Sequence, residues 1–322
     1  MNAVTLDDLQ ERVNDKNAFG NLNDYRLICT DFLNLIEKTK PTRIVAQKQP
    51  DYIFYQYGEE YKYKVTRPLN TNLFHKSASA FNDAFDRFID LLTIIKKHKG
   101  QTPLQKEARE ILDLNEVNKV IYSMQQSIGC IGDSFEIANQ SRKRVGTLFE
   151  TLIKLIIQDI GITCEPRTIK IPLPNYPDLT MSYPLDLVFS SERAIITSET
   201  PSIYPTEIVG SVKVTSKDRI DRIFLDKYML KELIGRDIPV IAIFLHDVQG
   251  NKKERKDGTS IFSVSPTFKT GHFVGYTLAL NKLDGVYYVD PRPVMASTEL
   301  LREQISDFQK FLVEDLWKLS SA

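Results

Sequence analysis

The chain has 322 residues, 42% of them hydrophobic, which is enough to bury one large core or two adjoining ones. Its 42 basic and 42 acidic residues give a formal net charge of zero. That balance differs from the excess positive charge that is usual in dedicated nucleic-acid binders. Binding depends on the local field, however, so a local basic surface remains compatible with DNA.

The three cysteines, Cys29, Cys130 and Cys164, are too widely spaced for a zinc site or a disulfide framework. The sequence shows no signal-peptide pattern and no apolar run long enough to span a bilayer. We therefore expect a protein of the reducing cytoplasm that has no membrane as a partner.

Residues 1–135 are predicted to be mostly helical. Helix-like apolar spacing covers three segments: Phe32 to Lys38, Ala80 to Lys97 and Leu104 to Leu112. The aromatic run from Tyr52 to Tyr57, continued from Tyr61 to Tyr63, predicts a hairpin with Gly58 near its turn. Aromatic residues mixed with lysine would also suit stacking on bases, but a half-buried pair of strands is the simpler interpretation.

A long helix is predicted from Ser141 to about Ile160, where Gly161 ends it. Near its start, Arg142 and Arg144 are candidates for contact with the DNA backbone, because guanidinium groups bind phosphates. This helix would therefore carry part of the local basic surface.

Glu150 lies on the same predicted helix and shares a flank with Ile153 and Ile157, at i+3 and i+7. It is therefore not expected to face water freely. A carboxylate in such a place requires a partner, which can be a nearby arginine or a metal ion. Both alternatives stay open, with Glu150 as a candidate metal ligand.

Asp186 interrupts an apolar strand, with Leu185, Leu187 and Phe189 expected on the opposite side. A lone carboxylate inside a sheet is costly, so it is expected to be paired or to hold a metal ion. Asp186 is the first candidate for a catalytic metal ligand, and a structural ion pair is the alternative.

The stretch from Glu207 to Leu233 combines a strand and a helix. Alternation along the strand places Ser211 and Lys213 on one side. Thr215 and Ser216 then offer a helix N-cap. The expected helix opens with Lys217, Asp218 and Arg219, and its apolar stripe comprises Ile220, Ile223, Phe224, Leu230 and Leu233. A lysine would thus lie just before a helix N-terminus, a place that attracts anions and can enter a DNA major groove.

Later elements are predicted more simply. The continuous apolar run from Ile238 to Leu245 is typical of an interior strand. The segment from Tyr287 to Pro291 is predicted to be another strand, which ends at the proline. An amphipathic helix is predicted from Thr298 to Leu319, for packing or for subunit contact.

These motifs resemble the PD-(D/E)XK type II restriction endonucleases, and most closely the EcoRII-like branch of their CCGG group. The resemblance covers roughly 141–293. It rests on the sequence from Ser211 to Lys213, on the basic-acidic-basic triplet Lys217-Asp218-Arg219, and on Arg144, Gly146 and Glu150 as a match to R-x-G-x-x-x-E. In this group serine often replaces the acid before the catalytic lysine.

The resemblance implies that the following helix supplies the missing acid. Asp226 lies 13 positions beyond Lys213 (226 − 213) and is the candidate, and Glu232 is the spare one. The family usually has glutamate at the position of Asp226 and arginine at that of Lys217. The triplet would read G·C pairs in the DNA, although a surface cluster of ion pairs at a helix start is the alternative.

The fold that the resemblance implies is a restriction-endonuclease-like mixed central sheet flanked by helices. The nuclease core would span residues 136–322. The mostly helical residues 1–135 would contact DNA, mediate dimerisation, or do both.

The implied function is Mg²⁺-dependent cleavage of double-stranded DNA at a palindromic site with a CC–GG or CCNGG-like core. Asp186, Asp226 and Glu150 would be the metal ligands, and Lys213 would complete the catalytic set. A palindromic site predicts a homodimer, with a tetramer as a further possibility. The alternatives are a non-catalytic DNA-binding relative and a structure-specific repair nuclease of the same fold.

Overall fold

The structure is a computed structural model of the chain, and it describes residues 4–99, 106–192 and 203–320. The described α-helices are α1 (Leu6–Asn14), α2 (Leu22–Thr39), α3 (Ala78–His98), α4 (Lys106–Asp113), α5 (Glu116–Asp133), α6 (Ala138–Asp159), α7 (Ile220–Ile234), α8 (Thr270–Ala279), α9 (Glu299–Gln304), α10 (Phe308–Lys310) and α11 (Leu316–Ser320). The described strands are β1 (Thr42–Val45), β2 (Tyr52–Gln56), β3 (Leu69–Asn70), β4 (Thr163–Leu173), β5 (Tyr176–Ser190), β6 (Ile208–Thr215), β7 (Val240–His246), β8 (Val248–Glu254), β9 (Ser260–Pro266), β10 (Gly285–Tyr288) and β11 (Ile305–Asp307). Leu104, the first residue of one predicted helix, lies outside the described residues.

The chain divides into two compact units. The first contains the chain up to Leu91, Glu110–Leu152 and Val248–Thr267. The second contains Leu92–Arg109, Ile153–Asp247 and the chain from Phe268 onward. None of the helices in the described ranges is both long and apolar enough to cross a membrane.

The described residues up to 135 are mostly helical, as predicted, because they contain α1 to α5. Helices α1, α2 and α5 pack on one another, and α5 is buried along nearly its whole length. Capping boxes begin α1 and α2, because the side chains of Thr5 and Asn21 accept hydrogen bonds from the first-turn amides. Strands β1, β2 and β3 form a small antiparallel sheet, and β8 and β9 form a hairpin.

The predicted aromatic hairpin is half right. Tyr52–Gln56 does form a strand, but its partners are β1 and β3. The segment from Glu59 to Tyr61 is a short 3-10 helix, and the backbone of Lys62 and Tyr63 is left-handed, with φ of 55° and 51°. A left-handed backbone cannot continue a strand, so the second half of the aromatic run forms a turn.

The second unit contains a six-stranded mixed sheet in the order β11-β10-β7-β6-β5-β4. Strands β4, β5 and β6 pair antiparallel, and β6, β7, β10 and β11 pair parallel. All seven residues of β7 are buried, as the continuous apolar run predicts for an interior strand. Helices α7, α8 and α9 contribute Phe224, Phe273 and Leu301 to the core on one face of the sheet.

The long C-terminal helix is a wrong prediction. Ile305–Asp307 leaves the helical path and forms β11, which pairs parallel with β10 at the sheet edge. Asp307 then caps the next helix by accepting a hydrogen bond from the Lys310 amide at 2.7 Å. The amphipathic spacing survives, because Phe308 and Phe311 are buried and Phe311 packs against Phe189 and Tyr287 of the sheet.

A buried ion pair joins β4 to the residue just before β6. Arg167 and Glu207 are 1% and 0% exposed, and both nitrogen–oxygen contacts measure 2.8 Å. The amide of Tyr204 adds a third hydrogen bond to Glu207, at 2.9 Å. This pair therefore fixes the entry of the chain into β6, the strand that carries Lys213.

Substituting Glu207→Gln is expected to lower the free energy of unfolding by about 3–5 kcal/mol, because the Arg167 charge stays buried without its counter-ion. The control is Glu314→Gln, which removes an exposed i,i+4 partner of Lys318 and should change the same quantity by less than about 1 kcal/mol. Urea unfolding followed by circular dichroism measures both. Equal losses in the two variants would contradict a structural role for the buried pair.

Candidate active site

A groove opens where β5 and β6 separate. The two strands are paired antiparallel over three residues each, from the pair Phe189 and Ile208 to the pair Leu187 and Gly210. Beyond the pair of Leu187 and Gly210, Asp186 and Ser211 lie outside the paired register, and they line a cavity of about 210 Å³ together with residues of α7. The end of the strand pairing thus creates the space in which the candidate residues meet.

A shift in the β4–β5 register directs Asp186 toward this groove. Glu165 pairs with Val188, and Arg167 pairs with Leu185, so one residue of β4 opposes both Asp186 and Leu187. Such a β-bulge inserts one residue and re-aims the side chains beside it. Because of this insertion, side chains from both 183 and 186 line the same groove, which strict alternation along a strand would not allow.

Asp186 is held by three donors from β6. The Ser211 hydroxyl, the Val212 amide and the Lys213 ammonium donate to the same oxygen, Oδ2, at 3.1, 3.0 and 2.5 Å. The side chains of Asp186 and Lys213 are 23% and 30% exposed, so both are supported by the protein and still reachable from the groove. The structure thus brings together the predicted acid and the predicted lysine, and it gives Ser211 an orienting contact.

Asp226 reaches the groove from α7. The hydroxyl of Tyr183, on β5, donates a hydrogen bond to Asp226 Oδ1. Burial is the main cause that raises the pKa of Tyr183 well above its usual value, and the hydrogen bond to Asp226 raises this pKa further. The hydroxyl therefore keeps its proton and remains a donor. Asp226 and Asp186 therefore line one groove from two different elements.

The rotation of α7 is fixed by its buried side. Ile223, Phe224 and Leu230 are buried, as the predicted stripe requires. Lys227 is buried too, and its ammonium donates to Asp284 Oδ2 and to the Lys282 carbonyl, each at 2.7 Å. With this side anchored, the neighbouring Asp226 is directed to the groove.

The Lys217-Asp218-Arg219 triplet does not open the helix, and that prediction is wrong. The three residues form a turn, and α7 begins at Ile220. Asp218 has a left-handed backbone with φ of 51°, which a helical first turn does not allow. The Ser216 carbonyl closes the turn by accepting from the amides of Arg219 and Ile220, at 3.2 and 3.3 Å.

The turn nevertheless lies beside the groove. Arg219 lines it together with Arg222, and Asp218 lines an adjoining cavity of about 820 Å³. All three side chains are exposed. Sequence reasoning missed Arg222, which lines both spaces and adds a cation next to Asp226.

Two solved structures match this chain. The type IIP restriction endonuclease Kpn2I is 17% identical, with a TM-score of 0.64 over 97% of each chain. The chain has the fold of a restriction endonuclease. The other structure, a complex of restriction endonuclease PspGI with substrate DNA, is 15% identical, with a TM-score of 0.40 over 75% of this chain and 91% of that one. No protein-family model matches the chain, and no curated protein matches it.

The similarity to the Kpn2I structure confirms the predicted fold class, a mixed central sheet flanked by helices. In the restriction-endonuclease fold seen here, β5, β6 and α7 carry the groove residues. The predicted buried acid, strand lysine and helix acid therefore lie on three neighbouring elements of one unit.

The remaining candidates lie in the first unit. Glu150 is half-buried on α6, and Arg142 is exposed near the start of the same helix. The guanidinium of Arg144 donates to the carbonyls of Val13 and Asp15, both at 2.6 Å. Those two bonds give Arg144 a structural task within its unit, whereas Arg142 presents its charge to solvent.

The groove offers the oxygen donors that a hard divalent cation prefers. Asp186, Asp226 and the Ser211 hydroxyl line it, and Mg²⁺ typically takes one or two carboxylates and completes its shell with water and phosphate. Within the described ranges, no group of three or more His, Cys, Asp and Glu side chains is assembled for a metal ion. The donor set in the groove therefore fits a two-carboxylate site.

Proposed function

We propose that this chain is a type II restriction endonuclease that cleaves double-stranded DNA at a palindromic site with Mg²⁺ as cofactor. The observation that supports this most directly is the meeting of Asp186, Lys213 and Asp226 in one groove of a restriction-endonuclease fold. We further assign it to the EcoRII-like branch of the CCGG group. The serine before the lysine and the acid on the following helix support that finer assignment.

Hydrolysis of a phosphodiester requires an activated water, neutralisation of the charge at phosphorus and help for the departing oxygen. Asp186 and Asp226 would hold the metal ion, which when bound makes a water more acidic and neutralises phosphate charge. Lys213 would orient the attacking water and stabilise the negative charge that develops at phosphorus. The contact between Lys213 and Asp186 keeps the ammonium within the groove.

Three further assignments belong to this proposal. Glu150 would hold a second ion or orient a water bound to one. Arg142 and Arg144 would contact the DNA backbone, and of the two the exposed Arg142 is the better suited. Residues 136–322 would form the nuclease core, and residues 1–135 would contact DNA, mediate dimerisation, or do both.

The partner would be DNA with a CC–GG or CCNGG-like core, bound by a homodimer or by a tetramer built from such dimers. A palindromic site matches the two-fold symmetry of a dimer, because each subunit reads one half-site. Lysine and arginine donate to guanine O6 and N7, and aspartate accepts from the cytosine amino group. Lys217, Asp218 and Arg219 therefore suit two adjacent G·C pairs, and their turn beside the groove would link reading to cutting.

Digestion of a sequenced plasmid with the purified chain and Mg²⁺ tests the proposal. Discrete fragments whose mapped ends share a palindromic CC–GG core are expected, and they should disappear with EDTA. Specific binding without cleavage would instead indicate a non-catalytic DNA-binding relative. Cleavage only at branches, flaps or mismatches would indicate a structure-specific repair nuclease.

Base reading by the triplet has its own test. Arg219→Ala and Asp218→Ala are each expected to lose about 1–3 kcal/mol of binding free energy at C·G positions only, since each removes a hydrogen-bonding partner of one base pair. Binding is measured in Ca²⁺ across a panel of single base-pair variants of the mapped site.

The control for this test is Lys231→Ala, which removes a cation from the last turn of α7. It should leave the base preference unchanged. A uniform loss across the panel for the Arg219 variant, with a shallower salt dependence, would mean that Arg219 only binds phosphate, and the CC–GG assignment would then be dropped.

A further inference from the structure

We propose that Tyr183 is a positioning residue that holds Asp226 in the orientation required for the metal ion, an inference that rests on the proposed nuclease function. The contact is direct, because the phenolic hydroxyl donates to Asp226 Oδ1. Both side chains line the groove that contains Asp186 and Lys213.

Tyr183 is itself held in place. Its ring is half-buried and packs against the apolar core of the second unit, which contains Ile169 and Ile223. A ring fixed on its sides directs its hydroxyl to one position. The tyrosine can therefore select one orientation of a carboxylate that would otherwise rotate about two bonds.

The position of Tyr183 on β5 explains why such a contact is useful. Asp186 lies on the same strand, whereas Asp226 lies on α7, a helix outside the sheet. The bulge in β5 lets Tyr183 and Asp186 line the groove together. One strand thus sets both carboxylates, Asp186 directly and Asp226 through the tyrosine hydroxyl.

The hydrogen bond leaves Asp226 able to bind a cation. A carboxylate has about four lone-pair sites, and the hydroxyl of Tyr183 occupies one of them. Partners that orient a metal ligand in this way typically change metal affinity or activity about 10–100-fold when they are removed.

The test compares Tyr183→Phe, which removes only the hydroxyl, with the wild-type chain. Mn²⁺ binding to the full-length protein is followed by the paramagnetic resonance signal of the free ion, which needs neither DNA nor cleavage. Tyr183→Phe should weaken Mn²⁺ binding about 10–100-fold and raise the Mg²⁺ concentration for half-maximal cleavage by the same factor. Saturating Mg²⁺ should restore most of the rate, and DNA binding without metal should not change.

Two further variants separate orientation from general damage. Tyr276→Phe alters another half-buried tyrosine, which packs on Phe224 beside the adjoining cavity, and it should leave the Mn²⁺ affinity as in the wild type. In an Asp226→Asn background, adding Tyr183→Phe should weaken Mn²⁺ binding no further, because the tyrosine acts through that carboxylate.

Unchanged Mn²⁺ affinity in Tyr183→Phe, with or without a lower melting temperature, would overturn the inference. So would additive losses in the double variant, or a wild-type chain that binds no Mn²⁺. The proposed nuclease function fails on a different result. If the wild-type chain cuts no DNA but Tyr183→Phe still weakens Mn²⁺ binding, the nuclease function is overturned and the positioning role of Tyr183 is supported.

Discussion

Substituting Lys213→Ala is expected to slow DNA cleavage by about a thousandfold or more while leaving sequence-specific binding in Ca²⁺ nearly intact. The loss combines two effects, a missing charge stabiliser at phosphorus and a poorly placed water. Lys213 lies in the groove, where its ammonium is within 2.5 Å of Asp186 Oδ2. Binding should persist because the proposed base-reading residues belong to a separate turn after β6.

Single-turnover cleavage of an oligonucleotide that carries the mapped site measures this effect. The matched control is Lys170→Ala, which removes an exposed lysine from β4 of the same sheet and should cut at nearly the wild-type rate. A Lys213→Ala chain that cuts as fast as the control would remove this lysine from the catalytic set. A loss of binding equal to the loss of rate would instead mean that Lys213 holds DNA.

Two features of the groove can be recognised from the local sequence pattern alone, whereas Asp226 is a candidate only through the family resemblance. Asp186 stands out because a carboxylate interrupts a run of buried residues, between Leu185 and Leu187, and the structure pairs it with Lys213. The apolar stripe of α7 follows from the helical period alone. Such features are encoded within a few neighbouring residues, so one sequence is sufficient to detect them.

Contacts between distant parts of the chain could not be predicted. Tyr183 and Asp226 are 43 residues apart, and Lys227 and Asp284 are 57 residues apart. Each pair forms only when the sheet has assembled and α7 packs on it. An isolated tyrosine or lysine carries no local signal of a partner that distant.

Two irregularities of the backbone also differ from what the pattern of residue types predicts. The bulge at Asp186 changes which side chains of β5 face the groove, and a prediction that assumes strict alternation along the strand misses this change. The turn at Asp218 replaces the predicted helix start, because a left-handed residue interrupts the helical path. In both places the pattern of residue types was correct and the backbone conformation decided the outcome.

The strongest test of the relocated acid compares three amide substitutions. Asp186→Asn and Asp226→Asn are each expected to abolish Mg²⁺-dependent cleavage, with losses of about a thousandfold or more, because a neutral amide is a much weaker ligand for a hard cation than a carboxylate. Asp186→Asn also removes the charge that holds the Lys213 ammonium.

Glu232→Gln is the matched control for these losses, since it makes the same chemical change on α7 at an exposed position six residues beyond Asp226 (232 − 226). Its cleavage rate should stay within severalfold of the wild type, because an exposed surface carboxylate contributes little. Single-turnover cleavage rates of the three variants, measured over a range of Mg²⁺ concentrations, show which carboxylate on α7 is required. An inactive Glu232→Gln chain beside an active Asp226→Asn chain would mean that Glu232 supplies the acid and that Asp226 is held by Tyr183 for a structural reason alone.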